Sequence, residues 1–126
     1  MTETFTFRKE VLKKYDLDTY NLFMEAFDSM PIAAVVGDKY LAVHGGISPS
    51  LNVIQQIDTE INRFQEVPFE GLFCDIVWSD PVADEECSLI EDFSSNTDRD
   101  CSVYFGQKAV KKVLEKNDLR SILRGH

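Results

Sequence analysis

The chain has 126 residues, 44% of them apolar, which is one domain's worth of sequence with enough greasy side chains for a core. Its 22 acidic and 13 basic residues leave a net charge of −9, which repels phosphate backbones and argues against nucleic-acid binding. The apolar runs are too short to span a bilayer, and no apolar segment follows Met1 as a secretory signal would require.

Phe7, Val11 and Tyr15 repeat at i, i+4 and i+8 and predict a short helix over 7–15. A second helix is expected over about 18–29, with Tyr20, Phe23, Phe27 and Met30 on one face and Asp16 or Asp18 as its cap. Pro31 cannot continue it. Two short apolar runs, 32–36 and 40–43, flank Gly37-Asp38-Lys39 and predict a hairpin. A helical turn is expected within 58–64, and the run Cys74-Asp75-Ile76-Val77-Trp78 reads as a strand with Trp78 in the core. The acidic, Ser- and Asp-rich stretch 82–99 reads as a surface excursion. A strand is expected over 103–105, a helix over 107–116 stopped by Asn117 and Asp118, and a closing strand over 119–123. Helices alternating with strands indicate an α/β (α+β) fold.

The two histidines, His44 and His126, each follow an apolar strand and each neighbour a glycine. Ligands of open α/β sheets gather beyond the carboxyl ends of strands, and imidazole is the commonest neutral metal ligand, so both are candidate metal ligands. Arg99 stands among turn-forming polar residues, where its fork can face a phosphate or pair with Asp98 or Asp100. Asp80, before Pro81, has three readings: metal ligand, orienter of a ligand histidine, or cap. The three cysteines, Cys74, Cys87 and Cys101, form no C-x-x-C pair. Reduced thiols fit a cytoplasmic location. No phosphate-binding P-loop, nucleophile elbow or H-E-x-x-H motif is present.

His44-Gly45-Gly46-Ile47-Ser48-Pro49, Trp78-Ser79-Asp80-Pro81 and Arg124-Gly125-His126 occur in this order in the phosphoprotein phosphatase family of serine/threonine phosphatases, which the chain resembles. Asn96-Thr97-Asp98-Arg99 is similar to that family's segment with a phosphate-binding arginine, and the step of 27 residues from Arg99 to His126 is similar too. Cys74-Asp75-Ile76-Val77 before Trp78, Asn62-Arg63-Phe64 and Glu25-Ala26-Phe27-Asp28 resemble its calcineurin branch.

The resemblance implies a metallophosphoesterase-type β-sandwich flanked by helices, with residues 1–126 forming the central portion of one catalytic domain. It implies hydrolysis of phosphoserine and phosphothreonine at a dinuclear metal centre, iron and zinc or else manganese. His44 and His126 match metal ligands, and Arg99 matches an arginine that clamps the substrate phosphate. Implied partners are phosphoprotein substrates, a calcineurin B-like regulatory subunit and calmodulin, with no nucleic acid and no membrane. The family's carboxylate-bearing motifs, G-D-x-H-G, G-D-x-x-D-R-G and G-N-H-E, are absent from this sequence. Two imidazoles cannot hold two metals, so the chain by itself is expected to lack phosphatase activity. Asp100 stands where the family usually has glycine, which points toward a competing reading, a non-catalytic interaction module derived from a phosphatase domain.

Overall fold

Residues 2–83, 90 and 92–125 are described in a computed structural model. They fall into two units, one of residues 1–30 with 63–65 and one of residues 31–62 with 66–126. The expected positions of His126 and Cys87, and most of the acidic stretch 84–91, lie outside the described residues.

In the first unit, α1 (Phe7–Lys14) and α2 (Leu17–Ser29) form a helical pair. Phe7 meets three rings of α2, with centroids 6.4 Å from Tyr20, 5.4 Å from Phe23 and 5.5 Å from Phe27. The expected apolar face of α2 is therefore the contact face. Tyr15 does not share it: Val11 is buried and Tyr15 is 63% exposed, because α1 ends one residue earlier and the Tyr15 backbone leaves the helical spiral. Asp16 is the cap of α2, accepting from the Thr19 amide at 2.8 Å. That hydrogen bond holds the Asp16 carboxyl below its ordinary range.

The second unit carries the strands. The hairpin forms as β1 (Ala33–Val36) and β2 (Tyr40–Val43), antiparallel. Gly37 and Asp38 both have positive φ, 57° and 56°, the backbone of a type I′ turn. A helical turn, α3, occupies Gln56–Thr59, slightly earlier than expected. Next comes α4 (Leu72–Trp78), a helix where the sequence reads as a strand. Phe73, Cys74, Asp75 and Ile76 are all buried, and so short an apolar run carries no periodicity to separate a buried helix from a strand. Enclosure on several sides decides for the helix, and Gly71 with φ 90° admits the entry turn.

The strand that follows is β3 (Asp80–Pro81), parallel to β5 (Val103–Phe105). On the other side of β5 lies β4 (Phe93–Ser95), antiparallel, inside the stretch expected as an excursion. Its Phe-Ser-Ser sequence has little strand character, and pairing with β5 makes the strand. Helix α5 (Gln107–Lys116) buries Ala109 and Val113, and β6 (Ser121–Arg124) closes the first sheet beside β2, parallel to it. The sheets are thus β1-β2-β6 and β3-β5-β4. One core joins them: Leu41 and Val43 of β2 and Phe105 of β5 pack with Ile47, Ile76, Ala109 and Val113. This mixture of strands and helices is the expected α/β class.

Candidate functional site

Because β2 and β6 run parallel in the register Val43↔Arg124, both strands deliver their carboxyl ends to one edge of the sheet. His44 leaves β2 there and is exposed. Its carbonyl accepts from the Gly125 amide at 3.3 Å. A Cβ on Gly125 would lie 3.6 Å from His44 Nδ1, so the ring rests beside the Gly125 backbone.

The two glycines after His44 fix its position by close approach. The Gly45 amide donates to the Ile76 carbonyl at 2.9 Å. A Cβ on Gly45 would stand 2.6 Å from the Val77 carbonyl carbon, and one on Gly46 would stand 2.2 Å from Phe105 Cε1. Only glycine lets the His44 loop lie against the last turn of α4 and the β5 aromatic.

Asp80 begins β3 directly after α4 and lies at the centre of a polar cluster. Its Oδ2 accepts from Arg99 Nε at 2.9 Å and from Asn96 Nδ2 at 3.0 Å, and its Oδ1 accepts from an Arg124 terminal nitrogen at 2.7 Å. Burial by itself would raise this carboxyl, but the hydrogen bonds from Arg99, Asn96 and Arg124 outweigh it and hold the pKa down to about 2. Among the three readings of Asp80, the cluster supports a carboxylate that orients arginines. Arg99 thus pairs with Asp80, a partner its neighbours in sequence did not suggest. Its guanidinium also lies 5.9 Å from the centre of the Trp78 ring. Trp78 is half-buried beneath that cation rather than enclosed in the core.

The turn carrying Arg99 is set by Asn96, whose Oδ1 accepts from the Asp98 and Arg99 amides at 3.1 and 3.2 Å. Asp100 has φ 55°, the left-handed region where glycine is easiest and Asp or Asn next. The substitution therefore leaves the turn's backbone in the form glycine would take, and Arg99 keeps its place on Asp80.

Sequence reasoning missed Arg124 and Asn96. Arg124 Nε donates to the Gly45 carbonyl at 2.8 Å while its terminal nitrogen holds Asp80, so one side chain ties the His44 loop to the Arg99 carboxylate. Its place in the Arg-Gly-His motif was a signal that the histidine overshadowed. Asn96 was legible as a turn former but not as a donor to Asp80.

An always-cationic guanidinium braced by a carboxylate, which Arg124 in turn ties to the loop after a strand-end histidine, is a donor set suited to a phosphoester. Comparison with known proteins agrees. Residues 3–126 match the calcineurin-like phosphoesterase family, and the chain belongs to it. The chain is 42% identical over its whole length to the serine/threonine-protein phosphatase 2B catalytic subunit A1 of Saccharomyces cerevisiae, covering 24% of that protein. To the A2 subunit of the same yeast it is 37% identical, again over all of the chain and 25% of the relative. A Saccharomyces cerevisiae protein serine/threonine phosphatase, described as similar to human phosphatase PP5, superposes with a TM-score of 0.77 at 30% identity, covering 94% of this chain and 35% of that one. The chain thus spans about a quarter of the length of the curated relatives it matches.

The family implies bound metal ions. Among the described residues, no three His, Cys, Asp or Glu side chains come together as a metal site needs. These residues by themselves do not fit a dinuclear centre, with His44 the one described ligand of the two expected. No helix among the described residues is long and apolar enough to cross a membrane.

Proposed function

We propose that this chain is the central portion of the catalytic domain of a protein serine/threonine phosphatase, with Arg99 holding the substrate phosphate. The carrying observation is the Asp80 cluster. One carboxylate braces Arg99 and, through Arg124, the backbone beside His44. A phosphate at Arg99 would then lie close to the strand edge that presents His44. Asp80 acts as a positioning residue: it keeps the guanidinium oriented before substrate arrives, so binding costs less ordering.

In this reading His44 and His126 are metal ligands, with iron and zinc, or manganese, the metals the resemblance implies, and the remaining ligands come from residues outside this sequence. The chain alone is inactive. Phosphoproteins are the substrates of the whole enzyme, acting in the cytoplasm; a B-type regulatory subunit and calmodulin are its partners by resemblance alone. The left-handed backbone of Asp100, with Arg99 still seated on Asp80, supports the catalytic reading over a non-catalytic interaction module.

The test is a chimera in which this sequence replaces the matching segment of a yeast 2B catalytic subunit. The chimera is expected to hydrolyse a phosphoserine peptide, and Arg99→Ala is expected to lower kcat/KM by about 100-fold or more. Full activity of the Arg99→Ala chimera would overturn the assignment of Arg99. Metal-dependent turnover of p-nitrophenyl phosphate by the 126-residue chain alone would overturn the incomplete site.

A further inference from the structure

Helix α5 is a basic element in an acidic chain. It carries Lys108, Lys111, Lys112 and Lys116 against one acid, Glu115, while the whole chain has a net charge of −9. Along it runs a groove of about 710 Å³ whose other wall is the loop 48–52. Leu51, Phe93, Ala109 and Val113 are its apolar lining, with Lys112 and Lys116 on the helix side and Asn52 on the loop side. None of these residues belongs to the Asp80 cluster.

The two walls are tied together at the end of α5. Asn117 Oδ1 accepts from the Ile54 amide at 2.9 Å, and Asn117 Nδ2 donates to the Asn52 carbonyl at 3.2 Å. Lys116 Nζ donates to Asn52 Oδ1 at 3.0 Å. The loop is thus fixed before any ligand arrives, so docking in the groove has little backbone to order. The acids of the groove, Asp92 and Glu115, each hold a lysine: Asp92 takes Lys112 at 2.5 Å, and Glu115 takes Lys111 at 3.8 Å. Lys112 and Asp92 are 59% and 42% exposed, so their pair holds weakly and Lys112 can exchange it for another carboxylate. Lys116 rests on a neutral amide oxygen, which leaves its positive charge for a partner.

We propose that this groove docks a linear peptide of a partner protein, one that seats an apolar side chain on the Leu51–Val113 lining and sets carboxylates against Lys112 and Lys116. Charge selects the occupant. A basic segment would be repelled by the lysines of α5, and an apolar segment without acids would desolvate Lys112 and Lys116 with nothing in return. A nucleic acid would meet the lysines but leave the apolar lining unused, and the chain's net charge repels it. The chemistry of the groove is independent of the phosphatase reading.

The experiment titrates the purified 126-residue chain into a fluorescein-labelled peptide of alternating leucine and glutamate and reads fluorescence anisotropy. Binding with a Kd of about 10–100 μM is expected, with backbone amide shifts in NMR confined to the 48–54 loop, residues 92–93 and α5. Lys112→Glu combined with Lys116→Glu, both on the exposed side of α5, should weaken binding about 10-fold or more. Lys9→Glu combined with Lys13→Glu, the same change of net charge on α1, should leave it unaltered. Equal binding of a serine–glutamate peptide or of a leucine–lysine peptide would overturn the proposal, because the lining or the lysines would then not be selecting the ligand. So would amide shifts elsewhere, an unchanged Kd in the α5 double variant, or no binding at about 1 mM peptide. An active yeast 2B chimera that ignores the peptide would overturn it too, since the rest of the domain would then cover the groove.

Discussion

Asp80→Asn is the most informative single change. The aspartate takes donors on both oxygens, Arg124 on Oδ1 and Arg99 with Asn96 on Oδ2. Asparagine is the same shape but offers one oxygen, and its amide would point donors at an arginine. The carboxyl's drop from 3.8 to about 2 corresponds to roughly 2 kcal/mol at about 1.4 kcal/mol per pH unit. Arg99 and Arg124 remain 28% and 24% exposed, so solvent screening trims that figure while the stranded donors add to it. We expect a loss of about 2 kcal/mol at neutral pH. The sign follows from the depressed value. The stabilisation is complete above the unfolded carboxyl's pKa and disappears as pH falls through about 2, so about half should remain near pH 3. Urea unfolding followed by fluorescence of Trp78, the single tryptophan and a neighbour of Arg99, measures both proteins. A difference that is the same near pH 3 as at neutral pH would refute the reasoning, because the charge of Asp80 would then not be its source.

Two further changes probe the backbone around the cluster. Gly46→Ala should cost about 1–3 kcal/mol in the same urea assay, since the new Cβ would lie 2.2 Å from Phe105 Cε1 and 2.8 Å from Ser79 Oγ; an unchanged midpoint would show that the His44 loop is not held by close approach. Asp100→Gly should leave stability equal or raise it by up to about 1 kcal/mol, because φ 55° suits glycine, whereas Asp100→Val should lower it by about 1–2 kcal/mol; a marked loss with glycine would mean the Asp100 side chain holds the turn.

Most of the elements were legible because they carry local signals. The aromatic spacing of Phe23 and Phe27, the Asp16 cap, the Gly37-Asp38 turn and the Ala109–Val113 face of α5 are each decided by neighbours in sequence. Helix α4 was not, because four consecutive buried residues give no period, and β4 was not, because Phe93-Ser94-Ser95 becomes a strand only through its partner Val103-Tyr104-Phe105. The motifs around His44, Asp80 and Arg99 were visible in the sequence, but their contacts were not. Asp80 lies 19 residues from Arg99 and 44 from Arg124, and no local pattern announces a hydrogen bond at such separation.

By itself, then, the sequence determined the residue types at the strand ends, the turn-forming character of Asn96 and the family motifs. Tertiary structure decided which charge meets which. The parallel pairing of β2 with β6 brings the His44 loop beside Arg124, and the helical turn of α4 swings Asp80 toward both arginines. Desolvation then makes the pairing consequential: a half-buried carboxylate must be satisfied, and three donors from distant parts of the chain satisfy it.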